Sequence, residues 1–469
     1  MKKALFLFTL FFCANNLLIA QITQIGSLIN GSENISQAGA STSFNNDATI
    51  LAIGYLRTNA FFEDLGMARV FELQNEEWTQ KGSDLGDQYT DDRGFHVSLN
   101  GDGNILAMST GSVYGAGSIV KVYEFLNGDW QLKGNLIDIR DGYAQLNELG
   151  DTIVISDLTD EVIVYEFINN DWQIKGNIIN SEGVFWGMCV DINNTGNIIA
   201  VSDYIDSNSE GKVFSNRIYV FENNQWSPIG NIETIAYSLT SLSINLSNSG
   251  EACLISSFRK NSNDDLYLES KIYKYENEIW SQTGNSIITS PTEEFYRIEN
   301  ISTISADGNI VAIGNPVDNG NVMLYKIINS HWTQLGDGII GNGGEFGRAL
   351  SFNDDASRLS VGAPKFSDIG LFYGQVTTYE IDYNLFSIED MLYTIDIILT
   401  PNPVEDLLQI TSQNNSSINR ISVYDITGKL ILEENDDVRQ LDILNLTSGL
   451  LLVKIETENG TITKKIVKH

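Results

Sequence analysis

Apolar and polar positions along this chain alternate in short runs, too brief and too regularly interrupted for helices. Residues 309–336, NIVAIGNPVDNGNVMLYKIINSHWTQLG, show the unit most clearly. A continuous apolar run follows a Gly turn (Ile310 to Ile313), an alternating run carries an aromatic residue (Val322 to Ile327), and a Trp opens a third run (Trp332 to Leu335). Each run has strand length and is bounded by Gly, Asn, Asp or Ser, the residues tight turns need.

The unit recurs. Trp78, Trp130, Trp172, Trp226, Trp280 and Trp332 open WTQKG, WQLKG, WQIKG, WSPIG, WSQTG and WTQLG, at spacings of 42 to 54 residues. A period of this size marks repeated supersecondary units. Before each Trp a hairpin closes on an Asn-rich turn, as in VYEFINNDW, and an earlier hairpin turns on Gly or Asp, as in TISADGNIVAIG. That makes four strands per unit. The strand before the Trp appears a seventh time as VTTYEID at 376–382, with no Trp strand after it. Residues 22–29, ITQIGSLI, match WTQLGDGI with Ile22 in the Trp place, so the first strand can complete the last unit. The expected fold is all-β: a seven-bladed β-propeller over residues 21–382, closed by the N-terminal strand so that no sheet edge is left open.

The two ends differ from the repeat. Residues 1–20 place two lysines before an apolar stretch and end on a small residue, which reads as a secretory signal peptide cleaved between Ala20 and Gln21. No later run reaches the roughly 20 apolar residues of a spanning helix. Residues 383–396 are expected to link the repeat to a small β-sandwich over 397–469, where short strands alternate with turns at Thr427-Gly428, Ser448-Gly449 and Asn459-Gly460.

Charge narrows the partners. With 61 Asp and Glu against 28 Lys and Arg the net charge is −33, which repels nucleic acid and anionic membranes. Beyond the leader only Cys189 and Cys253 remain, each in an apolar run, as expected of buried thiols rather than a disulfide scaffold. The histidines His96, His331 and His469 stand far apart, without HExxH, GxSxG or a Gly-rich phosphate loop. Acidic pairs such as Asp91-Asp92 and Asp354-Asp355 read as solvated turn residues. No catalytic residue, metal or cofactor is expected. The repeated Trp residues read as packing between neighbouring blades rather than as sugar platforms. Trp186, in FWGMCV at the start of an inner strand, is the candidate for ligand contact at the channel.

Two family resemblances add to this. Phe346-Gly347 and Gly362-Ala363-Pro364 in the last unit resemble the FG-GAP repeat of integrin α-subunit propellers, and other units keep fragments such as Gly94, Gly187 and AIGNP at 312–316. That family often holds calcium in the hairpin between these strands. The corresponding positions here read Ser98, Asn100, Asp102 and Leu106; Asp191, Asn193, Thr195 and Ile199; Thr303, Ser305, Asp307 and Val311; Ser351, Asn353, Asp355 and Leu359. The last position is apolar every time, so poor calcium binding and ordinary turn chemistry are expected. The C-terminal stretch resembles the sorting domain of the type IX secretion system of Bacteroidetes, through Pro401-Asn402-Pro403, VYDITGK with Gly428 and Lys429, DILNLTSG ending on Gly449, and KKIVK. Leu450 to Val453 are aliphatic where that family usually has an aromatic. The resemblance implies export in two steps and a secreted or outer-membrane surface location, with the type IX machinery as partner.

Two functions stay open. One is a non-enzymatic binding or adhesion propeller holding a glycan or protein. The other is a polysaccharide hydrolase or lyase at the channel, which needs two carboxylates ~5–9 Å apart.

Overall fold

The computed structural model describes residues 21–31, 36–58, 64–86, 93–111, 118–139, 142–157, 161–180, 185–208, 211–237, 242–261, 265–289, 301–367, 372–383, 397–401, 403–412, 417–425, 429–435, 438–457 and 460–468. The proposed leader, with Ala20, lies outside them, as do Asn402 and Gly428. All regular structure among the described residues is β, apart from a single 3₁₀ position, and the chain divides into two compact units, Met1–Phe386 and Ser387–His469.

The first unit holds seven sheets of four or five strands. The sixth is representative: Ser302–Ile304, Ile310–Asn315, Asn321–Ile328 and His331–Gln334 pair in that order, and Ile339–Ile340 joins the third strand. Burial falls from the second strand outward. Ile310–Asn315 is buried at five successive positions because both its faces are covered, whereas in His331–Gln334 only Trp332 is buried. The hairpin between third and fourth strands turns on two residues of positive φ, Asn329 and Ser330 here and Asn169 and Asn170 in the third sheet. Such pairs match the twist of the flanking strands, and Asn bears the left-handed region at lowest cost.

The seventh sheet takes its outer strand from the start of the chain. Ala349–Phe352, Arg358–Ala363 and Gln375–Asp382 are followed by Gln21–Asn30, which runs antiparallel to Gln375–Asp382 from Gln21 opposite Asp382 to Asn30 opposite Gln375. Apolar clusters fill the spaces between successive sheets. One joins Ile29 and Val376 of the seventh sheet to Phe44, Ile53 and Trp78 of the first.

The tryptophans make these joints. Trp130, Trp172, Trp226 and Trp332 each donate their indole N–H to the carbonyl of the residue that follows the preceding sheet's outer strand, those of Lys81, Lys133, Lys175 and Thr283, at 2.7–2.8 Å. Trp78 donates to Thr378 Oγ1 of the seventh sheet at 2.9 Å. Each ring seats on a glycine: a Cβ on Gly82, Gly134, Gly176 or Gly284 would stand 2.7–3.1 Å from the next Trp Cδ1, and one on Gly26 would stand 2.5 Å from that of Trp78. Only a residue without a side chain leaves room for the indole there. Trp280 differs. Pro228 and Ile229 precede Gly230 in the neighbouring strand, Gln225–Ala236 runs on for 12 residues, and the buried Trp280 Nε1 has no acceptor among the described residues.

The second unit has a three-stranded sheet, Ile397–Thr400, Leu407–Ser412 and Gln440–Asp442, and a four-stranded sheet ordered Leu430–Asn435, Ile418–Asp425, Gly449–Thr457, Gly460–Lys468. Both contribute to one apolar core that includes Leu399, Leu408, Ile410, Val423, Val453 and Ile466.

Candidate functional site

The first strands of the seven sheets lie side by side and define an axis, each touching the next and the seventh touching the first. Every first strand ends in a tight turn capped by its own Asn or Ser. Asn100 Oδ1 accepts from Ile105 N at 2.8 Å, and Asn193, Ser305 and Asn353 do the same for Ile198, Ile310 and Arg358. In the turns of Asp307 and Asp355 these carboxylates accept from Asn309 N and Ser357 N at 3.0 and 2.9 Å. The side-chain oxygens of Asn100, Asn193, Ser305, Asp307, Asn353 and Asp355 are thus engaged in holding the turns.

One residue further on, the turns join one another. Asn46 N donates to Gly101 O, Gly101 N to Glu148 O, Glu148 N to Asn194 O, Asn194 N to Asn248 O, Asn248 N to Ala306 O, Ala306 N to Asp354 O, and Asp354 N to Asn46 O, all at 2.8–3.2 Å. Seven backbone hydrogen bonds make a cycle around one end of the axis. Over it, Glu148 accepts from Asn46 Nδ2 at 3.0 Å and Asn194 Nδ2 at 2.6 Å, and Asp354 accepts from Asn248 Nδ2 at 3.1 Å. Sequence reasoning read Asp354 as a solvated turn residue and passed over Glu148. Asp354 is in fact partly buried, and burial, with the charges of Glu148 and Asp355, raises its carboxyl above the usual range while Asn248 opposes the rise.

Inside the cycle the first strands carry small polar residues. Ser43, Ser98 and Ser351 accept at Oγ from Leu99 N, Leu146 N and Phe44 N of the following sheet, each at 3.0 Å. Asp191 holds the same place in the fourth sheet and accepts from Leu246 N at 2.7 Å and Ile192 N at 2.9 Å. It keeps some accessibility although protein crowds it closely, and this desolvation pushes its carboxyl up to about 7 against those two hydrogen bonds. His96 is buried with its ring edge against Tyr143, at 5.7 Å between centroids, and 3.4 Å from Gln145 Nε2. Cys189 and Cys253 are buried in one apolar cluster, where the Cys189 thiol donates to Leu242 O.

The connections from each fourth strand to the next first strand begin at the other end of the axis. Trp186 belongs there, in Phe185–Ile192, whose partner strand Ile198–Asn208 carries Asp203 opposite Gly187. The Trp186 side chain lies outside the described residues. Opposite Gly187, buried Asp203 pairs with Arg217, whose guanidinium lies over Tyr219 at 5.6 Å.

The glycines of the FG and GAP segments have a packing role. A Cβ on Gly362 would stand 2.2 Å from Gly39 O of the first sheet, and one on Gly314 would stand 2.0 Å from Gly347 O. Neighbouring backbones meet at these points.

In the second unit the residue after Pro403 and the motif residue Gly449 both meet the last strand, Gly460–Lys468. Pro403 precedes Val404, whose N–H donates to Val467 O at 2.8 Å and which bridges Lys468. Lys468 is also in register with Gly449, which holds a φ of +143°. Lys429 bonds back to the end of Ile418–Asp425, its N–H donating to Asp425 Oδ1 at 3.1 Å. Pro401, Pro403, Lys429 and Gly449 are all exposed.

Residues 399–469 match the family described as the secretion system C-terminal sorting domain. This region is therefore a type IX C-terminal sorting domain. No curated protein matches the chain. Among solved structures it is similar to the hydrazine synthase of Kuenenia stuttgartiensis, at 8% identity and TM-score 0.49, covering 71% of this chain and 93% of that one. It is also similar to the Cps50 (Swd1) β-propeller domain of Myceliophteria thermophila, at 12% identity and TM-score 0.46, covering 76% of this chain and 100% of that one.

Proposed function

We propose that this is an exported binding or adhesion protein, non-enzymatic, displayed at the outer-membrane surface or released. The observation that carries the reading is the match of residues 399–469 to the sorting family. In this reading residues 1–20 are a signal peptide removed between Ala20 and Gln21, 21–382 a seven-bladed β-propeller closed by Gln21–Asn30, 383–396 a linker, and 397–469 the part addressed by the type IX export machinery. The seven sheets, the pairing of Gln21–Asn30 with the last of them and the cycle of seven turns support the propeller. Among the described residues no helix is long and apolar enough to cross a membrane.

The ligand, a glycan or a protein, is taken at the axial end bearing Trp186. The end formed by the short turns is knit together by hydrogen bonds, and two of its carboxylates, Glu148 and Asp354, hold amide donors. That engagement favours binding over the acid and base roles of a glycosidase.

Export is tested by removing residues 397–469, which is expected to leave the protein in the periplasm. Its continued appearance outside the cell would overturn the assignment. Binding is tested by thermal shift of the mature chain against soluble glycans, with Trp186→Ala as comparison. A stabilising glycan whose effect is lost in the variant supports the site; no shift with any glycan points to a protein ligand.

A further inference from the structure

The fourth and fifth sheets run on further than the sheets flanking them at the axial end bearing Trp186. Their second strands, Ile198–Asn208 and Ala252–Lys260, have 11 and 9 residues, against 6 each in Thr152–Asp157 of the third sheet and Ile310–Asn315 of the sixth. Tyrosines and lysines meet there. Tyr204 is in register with Phe185, the residue before Trp186, and its ring packs on buried Phe214 at 5.8 Å between centroids. Lys212 Nζ stands 5.3 Å from the centre of the Tyr204 ring, and no carboxylate among the described residues pairs with it. Lys212 is opposite Ala236, and the next residue, Tyr237, donates its N–H to Phe258 O at 2.7 Å and has Lys260 Nζ over its ring at 4.3 Å. Two lysines, one from the fourth sheet and one from the fifth, are thus held over tyrosine rings at the end of Gln225–Ala236.

We propose, resting on the binding role inferred above, that Lys212 and Lys260 take an acidic sugar: a glycan whose carboxylate or sulfate ester is held by the two ammonium groups. A lysine stacked on a ring keeps N–H donors on the side away from it, where an anion accepts them. Half-buried Tyr267, opposite Arg259, adds an aromatic surface for the sugar ring. The acids nearby have partners of their own. Glu269 is shared by Arg259 and Lys271 at 3.2 and 3.1 Å, Asp203 pairs with Arg217, Asp206 accepts from Ser207 N, and Asp265 accepts from Asn261 Nδ2. Exposed Glu233, the one carboxylate of Gln225–Ala236, stands lower on the strand, opposite Ser215. The net charge of −33 repels a closely charged polymer such as nucleic acid, whereas acidic groups spaced along neutral sugars meet the two lysines with little repulsion from the rest of the chain.

Isothermal titration of the mature chain with trigalacturonate, its methyl ester and a sulfated galactose trisaccharide tests this. Trigalacturonate is expected to bind about tenfold more tightly than the ester, which keeps the sugar rings and loses the charge. Lys212→Gln and Lys260→Gln should each weaken it about fivefold while leaving the ester's affinity and the Tm unchanged. Tighter binding of the sulfated sugar, lost in the same variants, would support the site with a sulfate ester as its anion. Equal binding of acid and ester, or an affinity unchanged in both variants, would overturn the acidic sugar and leave the binding propeller standing. Tighter binding of a hexaglutamate peptide than of any sugar would overturn the glycan in favour of an acidic protein. Binding of none of these probes would overturn the lysine site, and the Trp186→Ala comparison then decides the wider reading.

Discussion

The backbone N–H of Asp354 donates to the carbonyl of Asn46 at 3.1 Å, bringing the seventh sheet to the first and returning the cycle of turns to its start. The same two sheets meet at Ser360 Oγ and Thr42 Oγ1, at Ser351 Oγ and Phe44 N, and at the Trp78 indole and Thr378. Three layers of contact, from the axis to the rim, thus join the ends of the repeat.

Trp172 and Trp280 should respond differently to loss of the indole nitrogen. Trp172→Phe removes a hydrogen bond and leaves the Lys133 carbonyl short of a donor, so it should cost about 1 kcal/mol more than Trp280→Phe, which removes a buried donor that has no acceptor among the described residues. Equilibrium unfolding in urea measures both. Equal costs would show that the Trp280 joint is as well bonded as the others.

Gly362→Ala should destabilise the first unit by about 3 kcal/mol, because its Cβ would press on the backbone oxygen of Gly39, which cannot move without parting the two sheets. Loss below about 1 kcal/mol in chemical denaturation would mean that the sheets part easily there.

The pH dependence should carry two opposite signs. Asp129 and Asp171 sit below the ordinary carboxylate range, chiefly because they accept from Ser83 N and Asn135 N of the preceding sheet and also from the N–H of the following Trp. Their contribution is present above the unfolded value near 3.8 and is lost as pH falls through the lowered folded value. Asp191 runs the other way. Its folded value of about 7 makes the ionised form costly, so stability associated with it falls as pH rises through 7. Asp191→Asn should therefore raise Tm by about 2–4 °C at pH 8 and by less at pH 5. A gain that does not shrink with acid would show that Asp191 is not titrating there.

Much of the strand succession was legible because its signals are local. Asn169-Asn170 and Asn329-Ser330 announce tight turns, and the buried run IVAIG announces a strand covered on both faces. In the second unit Pro403, Lys429 and Gly449 stand out in the sequence, and their place near or in register with neighbouring strands follows once those strands pair. The Glu148 and Asp354 contacts were not legible. They depend on Gly101 and Ala306 being small at turns far away in sequence, and nothing near Asp354 tells it from Asp355. The Trp280 joint left a trace in the sequence, Pro228-Ile229 where the other units have Gln-Lys, Leu-Lys, Ile-Lys, Gln-Thr or Gln-Leu before the glycine.

The closing role of Gln21–Asn30 is tested most directly by comparing thermal unfolding of chains that begin at residues 21 and 31. Loss of this strand should expose the edge of Gln375–Asp382, remove the Gly26 seat of Trp78, and lower the Tm of the first unit by well over 5 °C, with partial recovery when the peptide QITQIGSLIN is added in excess. An unchanged Tm, with no effect of the peptide, would contradict the closed ring.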